Sequence, residues 1–187
     1  MDHDLLDLYG QASAWTSSKV PGALSHLDDP TTCDRWDVRT LLNHIVQFQR
    51  YFVALAQGDE LELTPDPPDL LSDDPASDFH EVRTDALRVF GEPGAIERTG
   101  IALAVAFSDE LVHGWDLARS THQDPTMPEG LPGAALRMVH GRFTDEQRRG
   151  IFKPAISIDE SSSDQDKLLA YTGRDPGPAR DLSDKAP

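Results

Sequence analysis

A stripe of apolar residues at helical spacing, within residues 36–57, is the sequence feature that most constrains the fold. Its inward-facing members are Leu41, Ile45, Phe48, Phe52 and Leu55, and Gly58 follows the last turn. Apolar residues that recur every three or four positions favour an amphipathic helix, and a glycine directly after such a run is typical of a helix end. The stripe therefore predicts a long helix over 36–57 that buries one face against other helices.

Similar periodicity recurs elsewhere and extends this prediction to the whole chain. Further helices are predicted at residues 4–18, 77–90, 101–121 and 132–140, with a helical turn at Leu168–Tyr171. Residues 25–35 read as a loop, and the proline-rich, acidic residues 58–78 predict a long surface excursion. No segment alternates convincingly with a period of two, so we expect an all-α bundle of four main helices with short C-terminal helices or loops.

Charge and cysteine content limit the classes of function. The 187 residues suit a single domain, predicted at 1–176, followed by a polar tail at 177–187. A net charge of −16 disfavours binding to nucleic acids and anionic membranes, and no apolar run is long enough to span a membrane. The N-terminus does not resemble a signal peptide, and Cys33 is the single cysteine, so a cytoplasmic protein without disulfides is expected. Both a monomer and a homodimer remain open.

One histidine lies on or beside the apolar stripe of the 36–57 helix. His44 follows Leu41 by three residues and precedes Phe48 by four. Taken alone, such a histidine is more often a core residue hydrogen-bonded to a neighbour than a metal ligand. A second polar feature on another helix changes this interpretation.

That second feature is the pair Asp109 and His113, which are four residues apart and therefore share a helix face. The apolar stripe that contains Ala102 and Val105 leads into this pair. Because a buried carboxylate is costly unless it is paired or bound to a metal, the two residues and His44 predict a three-ligand site for a divalent ion. Two histidines and one carboxylate leave a coordination position open, as catalytic sites do.

Several assignments remain open from spacing alone. Glu110 is the rival ligand to Asp109, because carboxylates three residues before a histidine also bind metals. Asp116, three residues after His113, is a candidate for holding the free imidazole nitrogen, or else a surface charge. Cys33 is interpreted as structural, since nothing in the sequence argues for a reactive thiolate. Arg83 is a candidate for binding the anionic or polar groups of a substrate or thiol.

Three segments, in order, resemble the metal-binding domain of the mycothiol-dependent maleylpyruvate isomerases, within the DinB/YfiT-like superfamily of metalloenzymes. They are residues 32–39 (TCDRWDVR) followed by 41–44 (LLNH), residues 111–118 (LVHGWDLA), and 152–154 (FKP) with 168–176 (LLAYTGRDP). The last pair is similar to a mainly actinobacterial branch of the family. The resemblance runs from about residue 4 to residue 176.

The resemblance implies a DinB/YfiT-like bundle of four main helices with a metal ion in its core. Transferred position by position, the ligands are His44, Asp109 and His113, with zinc expected first and nickel second. Two departures stand out. Asp109 replaces a glutamate, and a stretch with a Phe-Gly-like turn that the family would place between Gly100 and Ile101 is missing.

The function implied by this resemblance is that of a metal-dependent enzyme that uses a low-molecular-weight thiol, mycothiol, for thiol transfer to a small electrophile or for its isomerisation. The metal would bind the thiol and lower its pKa. The alternatives are a metal-dependent hydrolase and a module that binds a metal or a small ligand without catalysis. Fold resemblance does not by itself decide among them.

Overall fold

The computed structural model describes residues 2–33, 36–144, 146 and 152–177. Apart from Gly177, the predicted polar tail at 177–187 lies outside this part of the chain. The helices are α1 (Asp2–Ser17), α2 (Val20–Ala23), α3 (Val38–Gln57), α4 (Pro75–Phe90), α5 (Ala95–Thr99), α6 (Ala102–Ser120), α7 (Leu131–Val139) and α8 (Asp164–Tyr171). The described residues contain no β-strand, only an isolated bridge between Pro30 and Asp37. The prediction of an all-α fold is therefore confirmed.

The four long helices form a closed ring of neighbours. Helix α1 packs against α6 and α4, and α3 packs against the same two helices from the other side. Helix α7 lies on α6, and α8 lies on α7. This arrangement is a helical bundle with a short C-terminal pair added to one helix, and it brings α3 and α6 side by side.

Local signals define where α3 begins and ends. The Asp37 side chain accepts a hydrogen bond of 2.7 Å from the backbone N–H of Thr40, which caps the first turn. Gly58 ends the helix with a φ of 83°, a left-handed conformation that glycine adopts without steric cost. The helix predicted from residue 36 therefore starts at Val38, two residues later.

Other boundaries differ more from the predictions. Asp74 caps α4, which begins at Pro75 and so shortens the predicted surface excursion. The turn predicted at 168–171 is an eight-residue helix, because Ser163 caps a first turn whose acidic residues suit a helix N-terminus. Helices α2 and α5 were not predicted, and each is only one turn long.

Helix α6 is the central helix of the bundle. Every residue from Ala102 to Ser120 is buried except Asp109 and Arg119. The sequence interpretation placed an inward-facing stripe on this helix and aimed Asp109 along it. The apolar residues of that stripe are buried, but so is nearly every other residue of α6, so the stripe does not single out Asp109, which is one of the two partly exposed residues.

The apolar core is divided into two clusters along α3. Residues of its N-terminal half, such as Leu41 and Ile45, belong to one cluster, and Phe52 and Ala56 of its C-terminal half belong to the other. His44 lies in the N-terminal half of α3, beside the point where one cluster gives way to the other. Among the described residues, none of the helices combines the length and the apolar character that crossing a membrane requires.

Candidate metal centre

The structure brings His44, Asp109 and His113 together, as the sequence predicted. One donor atom from each residue lies within 4.8 Å of the other two. The Asp109 Oδ1 atom is 3.4 Å from His113 Nε2 and 4.0 Å from His44 Nε2. Helix α6 supplies the carboxylate and one imidazole four residues apart, and the adjacent helix α3 supplies the other imidazole. The described residues thus contain a cluster that can hold a metal ion.

The cluster is largely buried but keeps a small exposure to solvent. The side chains of His44 and Asp109 are 17% and 18% exposed, and that of His113 is 10% exposed. A wall of aromatic rings flanks His44, with Trp36 at 4.7 Å and Phe48 at 5.3 Å between ring centroids. The exposed edge of the cluster therefore lies beside aromatic rings.

Electrostatics hold the three groups in defined protonation states. Burial would raise the pKa of Asp109, yet the two histidines hold it well below its usual range. Burial would likewise lower the pKa of His113, yet the carboxylates of Asp109 and Asp116 raise it well above its usual value. Burial lowers the pKa of His44. The raised pKa of His113 thus favours a proton on the imidazole in the metal-free chain, and Nε2 faces Asp109 where a cation would otherwise bind.

Asp116 orients the His113 ring from the opposite side. His113 Nδ1 donates to Asp116 Oδ2 at 3.0 Å, which leaves Nε2 directed at Asp109. The Asp116 carboxylate is fully buried and also accepts from the Thr32 hydroxyl at 2.6 Å and from Arg174 Nη2 at 2.8 Å. Burial would raise the pKa of Asp116, but Arg174 and His113 hold it well below its usual range. A carboxylate that fixes the tautomer of a histidine in this way is typical of metal centres.

Glu110, the rival ligand, is buried away from the three donor atoms. It is 2% exposed and belongs to neither of the donor groups that the described residues form. Burial, and then the charge of Asp109, raise its pKa to about 8. Glu110 interacts electrostatically with Tyr9 of α1 and with Arg83 of α4. Geometry therefore favours Asp109 as the ligand and leaves Glu110 as a neutral acid in the core at neutral pH.

Arg83 lies between α4 and α1. Its Nε donates to the Ser13 hydroxyl and its Nη2 to the Gly10 carbonyl, both at 3.2 Å. These bonds tie the two helices together and engage part of the guanidinium. Its role in binding a cofactor or substrate stays a prediction. Arg88, also on α4, is exposed and pairs with Asp85 and Glu92.

Residues distant in sequence complete the surroundings, and the sequence reasoning did not place them there. Cys33 and Trp36 come from the loop before α3, where Thr31 donates to the Trp36 carbonyl at 2.7 Å and closes the turn. Arg174 comes from the cap of α8. All three lie within segments that carried the family resemblance, but local spacing could not reveal their contacts, because Arg174 and Cys33 are 141 positions apart.

Comparison with known proteins gives relatives without an assigned activity. The uncharacterized proteins MT0763 and Rv0738 of Mycobacterium tuberculosis, from strains CDC 1551 and H37Rv, are each 25% identical to this chain over 165 residues. The match covers 79% of this chain and 85% of each relative. No family model and no solved structure matches. The chain is thus similar to mycobacterial proteins whose names state no function.

Proposed function

We propose that this protein binds a divalent cation through His44, Asp109 and His113 and is an enzyme that uses a low-molecular-weight thiol on a small electrophile. The observation that carries the proposal is the convergence of two imidazoles and one carboxylate within 4.8 Å at a partly open site. The donor set suits zinc or nickel and leaves at least one position for another ligand. The reaction would be thiol transfer or isomerisation.

The charges of the donor set support an anionic ligand such as a thiolate. One carboxylate and two neutral imidazoles leave a divalent ion with a net positive charge. Such an ion, when bound, supplies Lewis acidity that lowers the pKa of a thiol. The protein's own groups prepare this site, since Asp116 keeps His113 Nδ1 protonated and thereby presents the Nε2 lone pair to the cation.

The aromatic wall defines the side from which a substrate would approach. Trp36 lies 4.7 Å from His44 and 6.2 Å from His113, between ring centroids. These apolar rings would limit water beside the reacting groups and would pack against the carbon skeleton of a small electrophile. The resemblance to the maleylpyruvate isomerase domain and the DinB/YfiT-like bundle supports mycothiol as the thiol, within this proposal.

The test is calorimetric titration of mycothiol into zinc-loaded protein, metal-free protein and the Asp109→Asn variant. We expect binding to the zinc-loaded wild type and at least about tenfold weaker binding to the other two, because thiol affinity depends on the assembled centre. His26→Ala, which changes a histidine paired with Asp29 on the surface, is the matched control and should bind as the wild type does.

A second readout identifies the atom that binds. In cobalt-loaded protein, added mycothiol should produce a thiolate-to-cobalt charge-transfer band, and the band should persist in Cys33→Ser. Equal thiol affinity with and without zinc would contradict the thiol proposal. Ester or amide hydrolysis that requires the metal but no thiol would make the protein a hydrolase instead, and metal binding without any turnover would make it a binding module.

A further inference from the structure

A second group of potential metal ligands lies on the other side of the His113 ring. Cys33 Sγ is 3.3 Å from Asp116 Oδ2 and 3.9 Å from His113 Nδ1, and His113 Nδ1 is 3.0 Å from Asp116 Oδ2. All three residues are buried, and their donor atoms lie within 4.8 Å of one another. Sulfur, nitrogen and oxygen donors in this arrangement suit a thiophilic divalent cation such as zinc or cadmium.

The Arg174 guanidinium already lies against this group. Its Nη2 atom donates to Asp116 Oδ2 at 2.8 Å and lies 3.9 Å from Cys33 Sγ, and its Nε atom is 3.4 Å from Asp116 Oδ1. The guanidinium side chain is only 9% exposed, so water screens its charge poorly. A divalent cation among the same donors would be repelled by this fixed positive charge and would compete with it for Asp116.

We propose that Cys33, His113 and Asp116 form a second site for a thiophilic divalent cation, which Arg174 keeps closed. Because Arg174 occupies Asp116 Oδ2 and lies beside Cys33 Sγ, it directs metal ions to the Nε2 side of the His113 ring. Arg174 therefore acts as a positioning residue that selects between two metal sites sharing one histidine.

The proton balance of the second site explains why the two sites compete. Binding there forms a bond between Cys33 Sγ and the metal, and the thiol proton leaves to solvent. The Nδ1 lone pair becomes available when the Nδ1 proton also leaves to solvent and the one remaining ring proton is on Nε2. A neutral imidazole has a single free lone pair, so His113 serves one site at a time. No oxidant or reductant is required.

The test uses cadmium as the probe, because cadmium bound to a thiolate gives an ultraviolet charge-transfer band that histidine and carboxylate ligands do not give. Full-length wild type, Arg174→Gln and Arg174→Gln/Cys33→Ser are titrated with cadmium. We expect no band in the wild type, a band in Arg174→Gln and none in the double variant. Arg119→Gln is the matched control, because Arg119 also bonds the segment after α8, through the Gly177 carbonyl.

Two further variants keep the result decisive. Arg174→Met preserves more of the side-chain volume and replaces Arg174→Gln if near-ultraviolet circular dichroism shows the latter to be unfolded. In a His44→Gln background, Arg174→Gln should increase cadmium affinity at least tenfold, because cadmium then no longer competes with the guanidinium for Asp116. The band reports sulfur ligation alone, and in the His44→Gln background the first site has lost a ligand and competes less for His113.

Two results would overturn the proposal. In the His44→Gln background, a folded Arg174→Gln variant that binds cadmium without the band would mean that Cys33, His113 and Asp116 do not form a site. A Cys33-dependent band of equal strength in the wild type would mean that Arg174 does not close it.

Discussion

Replacing Glu110 with glutamine tests the assignment of this residue as a neutral, buried acid rather than a metal ligand. In the folded chain its pKa is raised to about 8, from an ordinary value of 4.5, by burial and by the charge of Asp109. Between these pH values the folded state holds a proton that the unfolded state releases. The free energy of unfolding contributed by this group therefore falls as pH rises from the lower value toward the higher one. Glutamine cannot ionise, so Glu110→Gln should not show this loss.

The size of the effect follows from the width of the window. Each pH unit in which only one state is protonated changes the free energy of unfolding by about 1.4 kcal/mol. Between about pH 5 and about pH 8, the stability of Glu110→Gln relative to wild type should therefore increase by roughly 3 kcal/mol. For a chain of this length, that corresponds to a relative gain in Tm of roughly 6–12 °C.

The assay is urea denaturation of metal-free wild type and variant at both pH values, in the presence of a chelator. Any packing cost of the amide is the same at both pH values. It therefore cancels when the stability difference between variant and wild type at one pH is subtracted from that at the other. Parallel stability curves for the two proteins would refute the reasoning, since they would mean that Glu110 titrates alike in both states. Added zinc should reduce the pH-dependent stability difference between the two proteins, because a cation near Asp109 favours the ionised form of Glu110.

Other predictions address the metal ligands and the helices that position them. Asp109→Asn should weaken zinc binding at least about tenfold and Glu110→Gln should weaken it less, as measured by calorimetric titration; the reverse order would make Glu110 the ligand. Because the pKa of His113 is raised in the metal-free chain, zinc must displace its proton, and zinc affinity should rise with pH through neutrality. Calorimetry in buffers of different ionisation enthalpy measures the released proton, and heats that are independent of the buffer would contradict this. Asp37→Ala removes the cap of α3 and should lower the free energy of unfolding by about 1 kcal/mol; an unchanged urea midpoint would show that the cap contributes nothing. Gly114→Ala should cost about 1–3 kcal/mol, because a Cβ there would meet Trp15 and Thr16 where α1 crosses α6; wild-type stability would show that the crossing can widen.

Helical periodicity was sufficient to predict the long elements of the fold. Helix α3 shows why, since its apolar stripe predicted the helix, its terminal glycine predicted the end, and the start differs from the structure by only two residues. The short helix α2 escaped prediction because it holds Pro21 and Gly22 within four residues. The prediction for α8 covered only Leu168–Tyr171, because it did not count the acidic residues before them as the first turn of a helix, where acidic side chains are favourable.

The candidate site was predictable only in part. The four-residue spacing of Asp109 and His113 and the place of His44 on its stripe brought the three residues together correctly, with support from the family resemblance. The argument from amphipathicity could not identify the inward-facing side of α6, because this helix is enclosed on all sides and has no polar face to contrast with an apolar one. The contacts of Cys33 and Arg174 with Asp116 depend on the packing of distant segments, for which the sequence holds no periodic signal.

Elemental analysis of protein purified from its native source shows whether His44, Asp109 and His113 hold a divalent cation. Wild type and the surface control His26→Ala should each carry up to one divalent ion per chain, zinc before nickel. His44→Ala and His113→Ala should each lose that ion while circular dichroism shows the helical fold intact. Full metal content in both of these variants would contradict the account, because the ion would then be bound elsewhere.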